Sequence, residues 1–572
     1  MPVRSVCIPS VPRRPASAAR NSALVAAGIL LSRITGLIRT AVIARFLGLS
    51  AVADAVQAAM RIPNLLQNLL GEGVLSASLI PVYSRLLAEG KREEAGRVAG
   101  AIAGLLAALT GLLALLGVLF ADQITRLVAV GFTGRTLTLT VTLTRILFPG
   151  VGFLVLSAWC LAVLNSHRRF FLSYVAPVIW NVTQITVVVV AGMWIFDAGL
   201  GSAATSVVAL ERLAIALAWG VLAGGLLQFA VQVPGVLRVA RPLRLSLNAR
   251  LPGVRTTLRL FGPVVAGRGV VQLMIYVDIA LASLLATGAV AALEYATRLA
   301  LVPVSLFGTS AAASELPELS ALGDEQREDI GRRLTPMLAR IAYYVVPTIV
   351  VFVVAGDLLY GLVLLPLESR LVWLVLLGSS VGLLSNTSSR LLQSALYAGG
   401  DTRRPAQYAM ARVVLAAALG ALLMLQFDRL ELTSSGIVLR GPLPAFTPLP
   451  PGARGTDPTT GLRLGAVGLA LAAGASSWLE YALLRRNLAR NRAVTTRVGG
   501  GVLARTVLAG VAAGAVGLGV RVLLSGAPLI WHLVAVAVAI GGGYLLTTRL
   551  LRLDEATELV RLLRGHRNRP AG

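Results

Sequence analysis

The sequence predicts an all-α polytopic membrane protein with about 14 transmembrane helices. Of the 572 residues, 56% are hydrophobic and only 14% are charged, whereas a soluble protein of ordinary composition has about 25% charged residues. Apolar runs that are long enough to cross a bilayer recur along the sequence. A β-barrel would instead show short segments of alternating polarity. These observations favour a helical bundle that lies in a membrane.

The expected spans follow one another, mostly with short connections. Their approximate residues are 22–47, 52–80, 98–121, 137–164, 171–196, 204–233, 257–286, 289–316, 336–363, 371–397, 405–427, 463–486, 503–524 and 528–550. Charged residues lie inside the first two spans and again inside the seventh and eighth, six spans later. This spacing favours two six-helix lobes around a central cavity, as in transporters built from repeats, followed by two C-terminal helices.

The predicted organisation has six parts. They are a cytoplasmic N-terminal tail (1–21), an N-lobe (22–233), a cytoplasmic linker (234–256), a C-lobe (257–486), the last two spans (487–550) and a cytoplasmic tail (551–572). Within the C-lobe, a loop rich in Pro, Gly and Thr at 428–462 is expected to face outward and to be poorly structured. The pattern of the final tail predicts a short amphipathic helix at the membrane surface.

The charge of the chain is strongly positive, with 52 basic and 26 acidic residues and a net charge of +26. In a soluble protein this excess would suggest nucleic acid as a partner. Here the basic residues cluster in alternate connections, after the second, fourth, sixth, eighth, tenth and twelfth spans. The positive-inside rule then places both termini on the cytoplasmic side of the membrane, and no nucleic acid is expected.

Cysteine and histidine are too sparse and too scattered to indicate a metal site, a disulfide framework or a cofactor. The two cysteines are Cys7 and Cys160, and the three histidines are far apart in the sequence. No nucleotide-binding P-loop, HExxH motif or Ser-His-Asp candidate with its histidine in a span is present. The sequence therefore favours a transporter over an enzyme, with no metal and no catalytic residue.

A polar stripe runs along the second span. Its members recur at spacings of three or four residues and are Asp54, Gln57, Arg61, Asn64, Asn68 and Glu72. On a helix with 3.6 residues per turn they share one face. A charge in hydrocarbon costs about 2.5 kcal/mol or more, so this face is expected to line a water-filled cavity or, alternatively, a structural salt-bridge seam between helices. Pro63 lies within the stripe and is expected to kink the helix.

Further charges occur in three other spans. Arg33 and Arg39 lie in the first span, and Asp54 or Glu72 could neutralise one of them. The remaining members are Arg268 and Asp278 in the seventh span and Glu294 and Arg298 in the eighth. Glu294 and Arg298 are one helical turn apart and able to pair.

Several arginines with fewer acids predict an anionic cargo. The guanidinium fork of arginine binds oxyanions with two hydrogen bonds, which suits a phosphate or a pyrophosphate. The residues in the four spans therefore indicate a cation-lined cavity that takes an anionic ligand.

Four segments resemble the lipid II flippase family (MurJ/MviN) of the multidrug, oligosaccharidyl-lipid and polysaccharide exporter superfamily. They are LSRITGLIRTAVIARFLG, ADAVQAAMRIPNLLQNLLGEGVLSASLIPVYSRL, ATGAVAALEYATRLALVPVSLFGTSAAASELPELS and YAGGDTRRPAQYA. The resemblance implies translocation of undecaprenyl-pyrophosphate-linked peptidoglycan precursor from the inner to the outer leaflet by alternating access. It also implies that the last two spans add a groove for the lipid tail, and that cell-wall synthesis proteins are partners.

The resemblance also implies roles for individual residues. It places essential cavity arginines at Arg33, Arg39 and Arg298, with Asp54 and Glu72 in matching acidic positions. The chain departs from the pattern in several places: an arginine pair that is usual in the family is Gln67 and Asn68 here, and two acids are replaced by Thr40 and Leu301. Conversely, Arg268 and Asp278 lie where uncharged residues are expected. We therefore expect Arg268 to replace the missing pair in part.

Three other functions fit the sequence less well. A related exporter could carry another lipid-linked oligosaccharide or drugs, although an arginine-lined cavity disfavours drugs. A membrane glycosyltransferase would need carboxylates on outward loops, where Asp197 and Glu368 are isolated. A non-transporting scaffold of a cell-wall complex is the third, and the missing arginine pair favours it.

Overall fold

The computed structural model describes residues 16–196, 207–309, 311–312, 327–401, 403–454, 461–491, 500–553 and 555–556. The helices of the N-lobe are α1 (Ala16–Leu47), α2 (Ala51–Leu70), α3 (Glu72–Ala88), α4 (Arg92–Leu119), α5 (Ala121–Val128), α6 (Gly134–Ser166), α7 (Phe170–Phe196) and α8 (Val207–Val239). Those of the C-lobe are α9 (Pro252–Ser283), α10 (Ala289–Pro303), α11 (Arg327–Gly361), α12 (Pro366–Ser380), α13 (Leu383–Ala398), α14 (Arg403–Phe427) and α15 (Gly465–Asn491). Two C-terminal helices, α16 (Gly500–Leu523) and α17 (Leu529–Leu550), follow.

The fold class predicted from the sequence is confirmed. In the described part of the chain, 11 helices are long and apolar enough to cross a membrane, and α12 and α13 form a twelfth crossing with a bend of 44°. Helices α1 and α9 have 32 residues each, or about 48 Å of helix, which is ample for a crossing. Both carry several charged residues. Together they bring the number of crossings to the expected 14 or so.

Each lobe is built around one central helix. In the N-lobe, α6 packs against α2, α4 and α8, while α7 packs against α1 and α8. In the C-lobe, α15 packs against α12, α13 and α14. Helix α9 contacts both α3 and α14, and so touches both lobes. The exact residues at which the predicted parts begin and end stay a prediction.

The second span is interrupted, which the sequence did not predict, and the kink expected at Pro63 stays a prediction. Helix α2 continues through Pro63, and the break falls at Gly71, where ψ is −148°. Gly71 donates its backbone N–H to the carbonyl of Gln67 and also precedes the first turn of α3. The stripe therefore spans two helices, and Glu72 is the first residue of the second one.

The expectation that 428–462 is poorly structured was wrong. Leu430–Thr433 (β1) pairs with Gly436–Leu439 (β2) and with Leu462–Arg463 (β3), which gives an antiparallel sheet of order β2-β1-β3. Gly436 has φ +138°, a conformation that favours glycine. The tight turn and the short apolar strands on either side of it outweigh the Pro-rich composition of the rest of the segment.

The two C-terminal helices are fixed to α11. Arg521 of α16 forms two hydrogen bonds to Asp357, at 2.9 and 2.5 Å. Tyr544 of α17 donates to the backbone carbonyl of Tyr343 at 2.8 Å. These contacts attach both helices to the C-lobe. The tail 557–572 and the first 15 residues lie outside the described residues.

Candidate functional site

The two lobes meet at one end of the bundle, which we call the closed end: residues 48–50, 284–288 and 362–365. Asp54, in the first turn of α2, accepts hydrogen bonds from the backbone N–H groups of Gly288 (2.6 Å) and Ala291 (2.8 Å). Asp54 is only 3% exposed. These N–H groups belong to the start of α10, where the helix dipole favours a negative charge. A carboxylate of one lobe therefore caps a helix of the other.

Close backbone approach reinforces this cap. Gly288 has φ +90°, and a Cβ there would lie 2.7 Å from the carbonyl oxygen of Leu49, so only glycine fits both the conformation and the space. Leu49 donates its N–H to Glu368 Oε1 at 2.8 Å. The α1–α2 turn is thus held between two elements of the C-lobe.

The insert at 428–462 adds a third connection at the closed end. The backbone carbonyl oxygen of Arg454 accepts a hydrogen bond from the N–H of Thr287 at 2.9 Å. The side chain of Arg454 donates from Nη1 to the carbonyl oxygen of Gly131 at 3.1 Å. Gly131 also donates its N–H to Ser283 Oγ at 2.9 Å. Because Gly131 belongs to the N-lobe and Thr287 and Ser283 to the C-lobe, the insert bridges the lobes.

A charge cluster lies farther along the interface. Glu294 of α10 is 6% exposed and binds two arginines: Arg61 of α2, in the other lobe, and Arg298 of its own helix, at 2.5 Å. The predicted pairing of Glu294 with Arg298 across one turn is therefore present. The pairing of Arg61 with Glu294 joins the polar stripe of the second span to the eighth span.

Arg39 belongs to the same cluster but has no acidic partner bound to it. It is 7% exposed, and its Nε and Nη1 atoms find no hydrogen-bond acceptor in the described part of the chain. Its guanidinium lies 4.7 Å from the centre of the Trp180 ring and interacts electrostatically with Arg298 and Glu294. The cluster thus holds three arginines and one glutamate, an excess of positive charge inside the bundle.

Away from the closed end, the cross-lobe contacts involve exposed side chains. Arg33 donates to Ser305 Oγ at 3.2 Å, and Asn68 donates to Gln272 Oε1 at 3.3 Å. The stripe of the second span is therefore a packed seam near Asp54 and an accessible wall near Asn68. The seam near Asp54 is present in the structure, and the role of the rest of the stripe as the wall of a water-filled cavity stays a prediction.

The comparisons with known proteins agree with this architecture. The family profile described as lipid II flippase MurJ matches residues 43–438, which is more than half of the chain. The chain belongs to the lipid II flippase MurJ family. The lipid II flippase MurJ of Burkholderia cenocepacia is 35% identical over 297 residues, which cover 51% of this chain and 55% of that protein. The chain thus spans about half the length of that relative.

A second relative aligns over more of its length. The probable lipid II flippase MurJ of Vibrio cholerae is 28% identical over 490 residues, 82% of each protein. Among solved structures, a lipid II flippase MurJ in an inward closed conformation matches with a TM-score of 0.70 and 19% identity, over 94% of this chain and all of that one. An inward-facing multidrug resistance MATE family transporter of the MOP superfamily matches with a TM-score of 0.58 and 14% identity, over 80% and 94%. These structures support the MurJ fold.

The remaining predicted residues lie on α2, α3 and α9. Asn64 is half-buried on α2, and Glu72 is exposed at the start of α3. Asp278 of α9 interacts electrostatically with Arg61 of the N-lobe and Arg412 of the C-lobe. Asp54, which we considered as a counter-ion for an arginine, binds backbone N–H groups instead.

Arg268 stays a prediction in this MurJ-family chain. Its backbone lies in α9, one turn before Gln272, which contacts Asn68. The side chain of Arg268 is not among the side chains that the structure describes. Arg268 is thus on a helix that faces the position of the missing arginine pair.

Sequence reasoning missed two groups. One is Trp180, whose ring lies against Arg39. The other is a buried pair in the C-lobe, Arg412 and Glu480, at 3.0 Å, with Glu480 only 2% exposed. Both charges fall inside expected spans, and their cost in hydrocarbon is the signal that could have found them.

Proposed function

We propose that this chain is a lipid II flippase. It moves the undecaprenyl-pyrophosphate-linked peptidoglycan precursor from the inner to the outer leaflet by alternating access. The observation that carries the proposal is the cluster of buried Arg39, half-buried Arg61 and exposed Arg298 around one buried glutamate, since its excess charge complements a pyrophosphate. The names of the Burkholderia and Vibrio relatives support the same cargo.

The proposed cycle begins with the closed end facing outward, so that the cavity is open to the cytoplasm. Arginines beside the opposite end support this orientation; they include Arg85, Arg92, Arg168, Arg403 and Arg404. We propose on this basis that both termini are cytoplasmic.

In this cycle the ligand enters from the inner leaflet past exposed Arg33. Its pyrophosphate reaches Arg39 and Arg298, while the polyprenyl chain stays in lipid along the apolar face of α16 (Leu503, Val507 and Val511). Release of the contacts at the closed end then opens the cavity outward. An association with cell-wall synthesis proteins stays a prediction from the family resemblance.

The first test is complementation of bacterial cells depleted of their own lipid II flippase. The parent chain is expected to restore growth, and Arg39→Ala and Arg298→Ala to lose it, because each removes a guanidinium that binds the pyrophosphate. Arg126→Ala is the control, since Arg126 is exposed and pairs with Asp122 far from the cluster. Growth with both cavity variants would contradict the site, and failure of the parent chain would favour another cargo or a scaffold.

A second test concerns Arg268. If it substitutes for the family's missing arginine pair, Arg268→Ala will slow flipping, and restoring arginine at Gln67 and Asn68 in that variant will recover it. Transport by purified protein in liposomes with a fluorescent lipid-linked pyrophosphate measures both rates. An unchanged rate in Arg268→Ala would show that the position has no role in the cargo site.

A further inference from the structure

We propose that Trp180 is a positioning residue that holds Arg39 ready for the pyrophosphate without neutralising it. This inference deepens, and rests on, the function proposed above. Arg39 is buried in the bundle, and two of its nitrogens have no acceptor among the described residues. A buried guanidinium in this condition needs a stabilising group, and the Trp180 ring at 4.7 Å is in range of a cation–π interaction.

The Trp180 ring is itself fixed in place. Its Nε1–H donates to the carbonyl of Val221 in α8 at 3.2 Å. A Cβ at Gly224, also in α8, would lie 3.0 Å from Trp180 Cδ1, so this glycine lets α8 pack closely against the ring. The next residue, Asn181, donates to the carbonyl of Ser32 at 3.2 Å and to Thr35 Oγ1 at 3.1 Å. These bonds set the register of α7 against α1 and place the ring beside Arg39.

The chemistry of the ring differs from that of a carboxylate in one important way. Glu294 occupies N–H groups of Arg61 and Arg298 with hydrogen bonds. An aromatic face attracts the cation through its quadrupole and takes none of the N–H donors. Arg39 therefore keeps its donors for an incoming oxyanion, whereas an acid at position 180 would compete with the ligand.

The test is a fluorination series at Trp180 in the full-length protein in lipid nanodiscs. Mono-, di- and trifluorinated tryptophan are inserted site-specifically, because fluorine weakens the cation–π interaction while keeping the shape and the N–H. The probe is geranylgeranyl pyrophosphate, and its Kd is measured. We expect the Kd to rise stepwise with fluorination, by about 3- to 30-fold in total. Trp180→Phe is expected to keep part of the affinity and Trp180→Leu to lose it.

Trp373 provides a matched control. Its Nε1–H also donates to a backbone carbonyl of a neighbouring helix, that of Phe352 at 2.9 Å, and it also packs against a glycine, Gly356. Among the described side chains, Trp180 has an arginine over its ring and Trp373 has none. Fluorination of Trp373 is therefore expected to leave the Kd unchanged. Fluorination of Trp180 in an Arg39→Ala background is expected to have no effect.

The outcomes separate this inference from the proposed function. If the unmodified chain binds the probe tightly and fluorination of Trp180 leaves the Kd unchanged, the positioning role is overturned and the flippase proposal stands. If the Kd rises equally with fluorination in the parent chain and in Arg39→Ala, the positioning role is also overturned, since the ring would then act independently of Arg39. Failure of the unmodified chain both to bind the probe and to restore growth of flippase-depleted cells would overturn the two proposals together.

Discussion

Glu294→Gln is expected to abolish growth of flippase-depleted cells. Glutamine keeps the shape of the side chain but removes the only acid bound to Arg61 and Arg298 in the described cluster. Breaking a fully buried ion pair typically costs about 3–5 kcal/mol, and we expect the lower end of this range because the Arg61 and Arg298 side chains are 24% and 41% exposed. We therefore expect the contact between α2 and α10 to separate and the flipping rate in liposomes to fall by at least about 100-fold.

A compensating change distinguishes loss of charge balance from loss of a specific contact. Arg61→Gln in the Glu294→Gln variant returns the cluster to its original net charge and is expected to recover part of the thermal stability of the purified protein. Glu211→Gln is the control, because Glu211 also binds an arginine, Arg135, at 2.5 and 2.9 Å, but lies away from the cavity. Normal growth with Glu294→Gln would show that the acid is dispensable and that the cluster does not depend on its charge balance.

The sequence predicted the parts of this site that depend on one helix at a time. The spans followed from apolar length, and the part of the stripe from Asp54 to Asn68 followed from helical periodicity. The pair Glu294–Arg298 followed from a spacing of four residues. Each of these needs only local geometry, which the order of residues in one helix determines.

Contacts between helices were harder to predict. The binding of Arg61 to Glu294 depends on which face of α2 meets α10, across 233 residues of sequence. Asp54 binds backbone N–H groups. Every residue except proline carries such a group, so the residue types in the sequence do not identify this partner. Trp180 was missed for a similar reason, since an aromatic residue in a span is most often lipid-facing or core. In physical terms, the sequence reveals which groups are costly in a membrane but does not reveal which partner offsets the cost.

Asp54→Asn is expected to shift the protein towards a state in which the two lobes separate at the closed end. The carboxylate accepts two N–H groups at the start of α10, and asparagine offers one oxygen and one NH₂ group, so one of the two N–H groups loses its acceptor. The favourable interaction of the negative charge with the helix dipole is lost as well. A hydrogen bond to a charged group contributes about 1.5–3 kcal/mol, which corresponds to a roughly 10- to 100-fold change in the equilibrium.

Nitroxide labels at Leu127→Cys in α5 and Leu362→Cys after α11 report this change, because both side chains are exposed and lie on different lobes. Pulsed electron paramagnetic resonance is expected to show a longer distance population in Asp54→Asn that is rare in the parent chain. Asp122→Asn is the control, since Asp122 is an exposed acid that pairs with Arg126 within one helix. If the distance distribution of Asp54→Asn matches that of the parent chain, the carboxylate does not hold the lobes together. The contacts of Leu49 with Glu368 and of Arg454 with Gly131 would then be sufficient to keep the closed end shut.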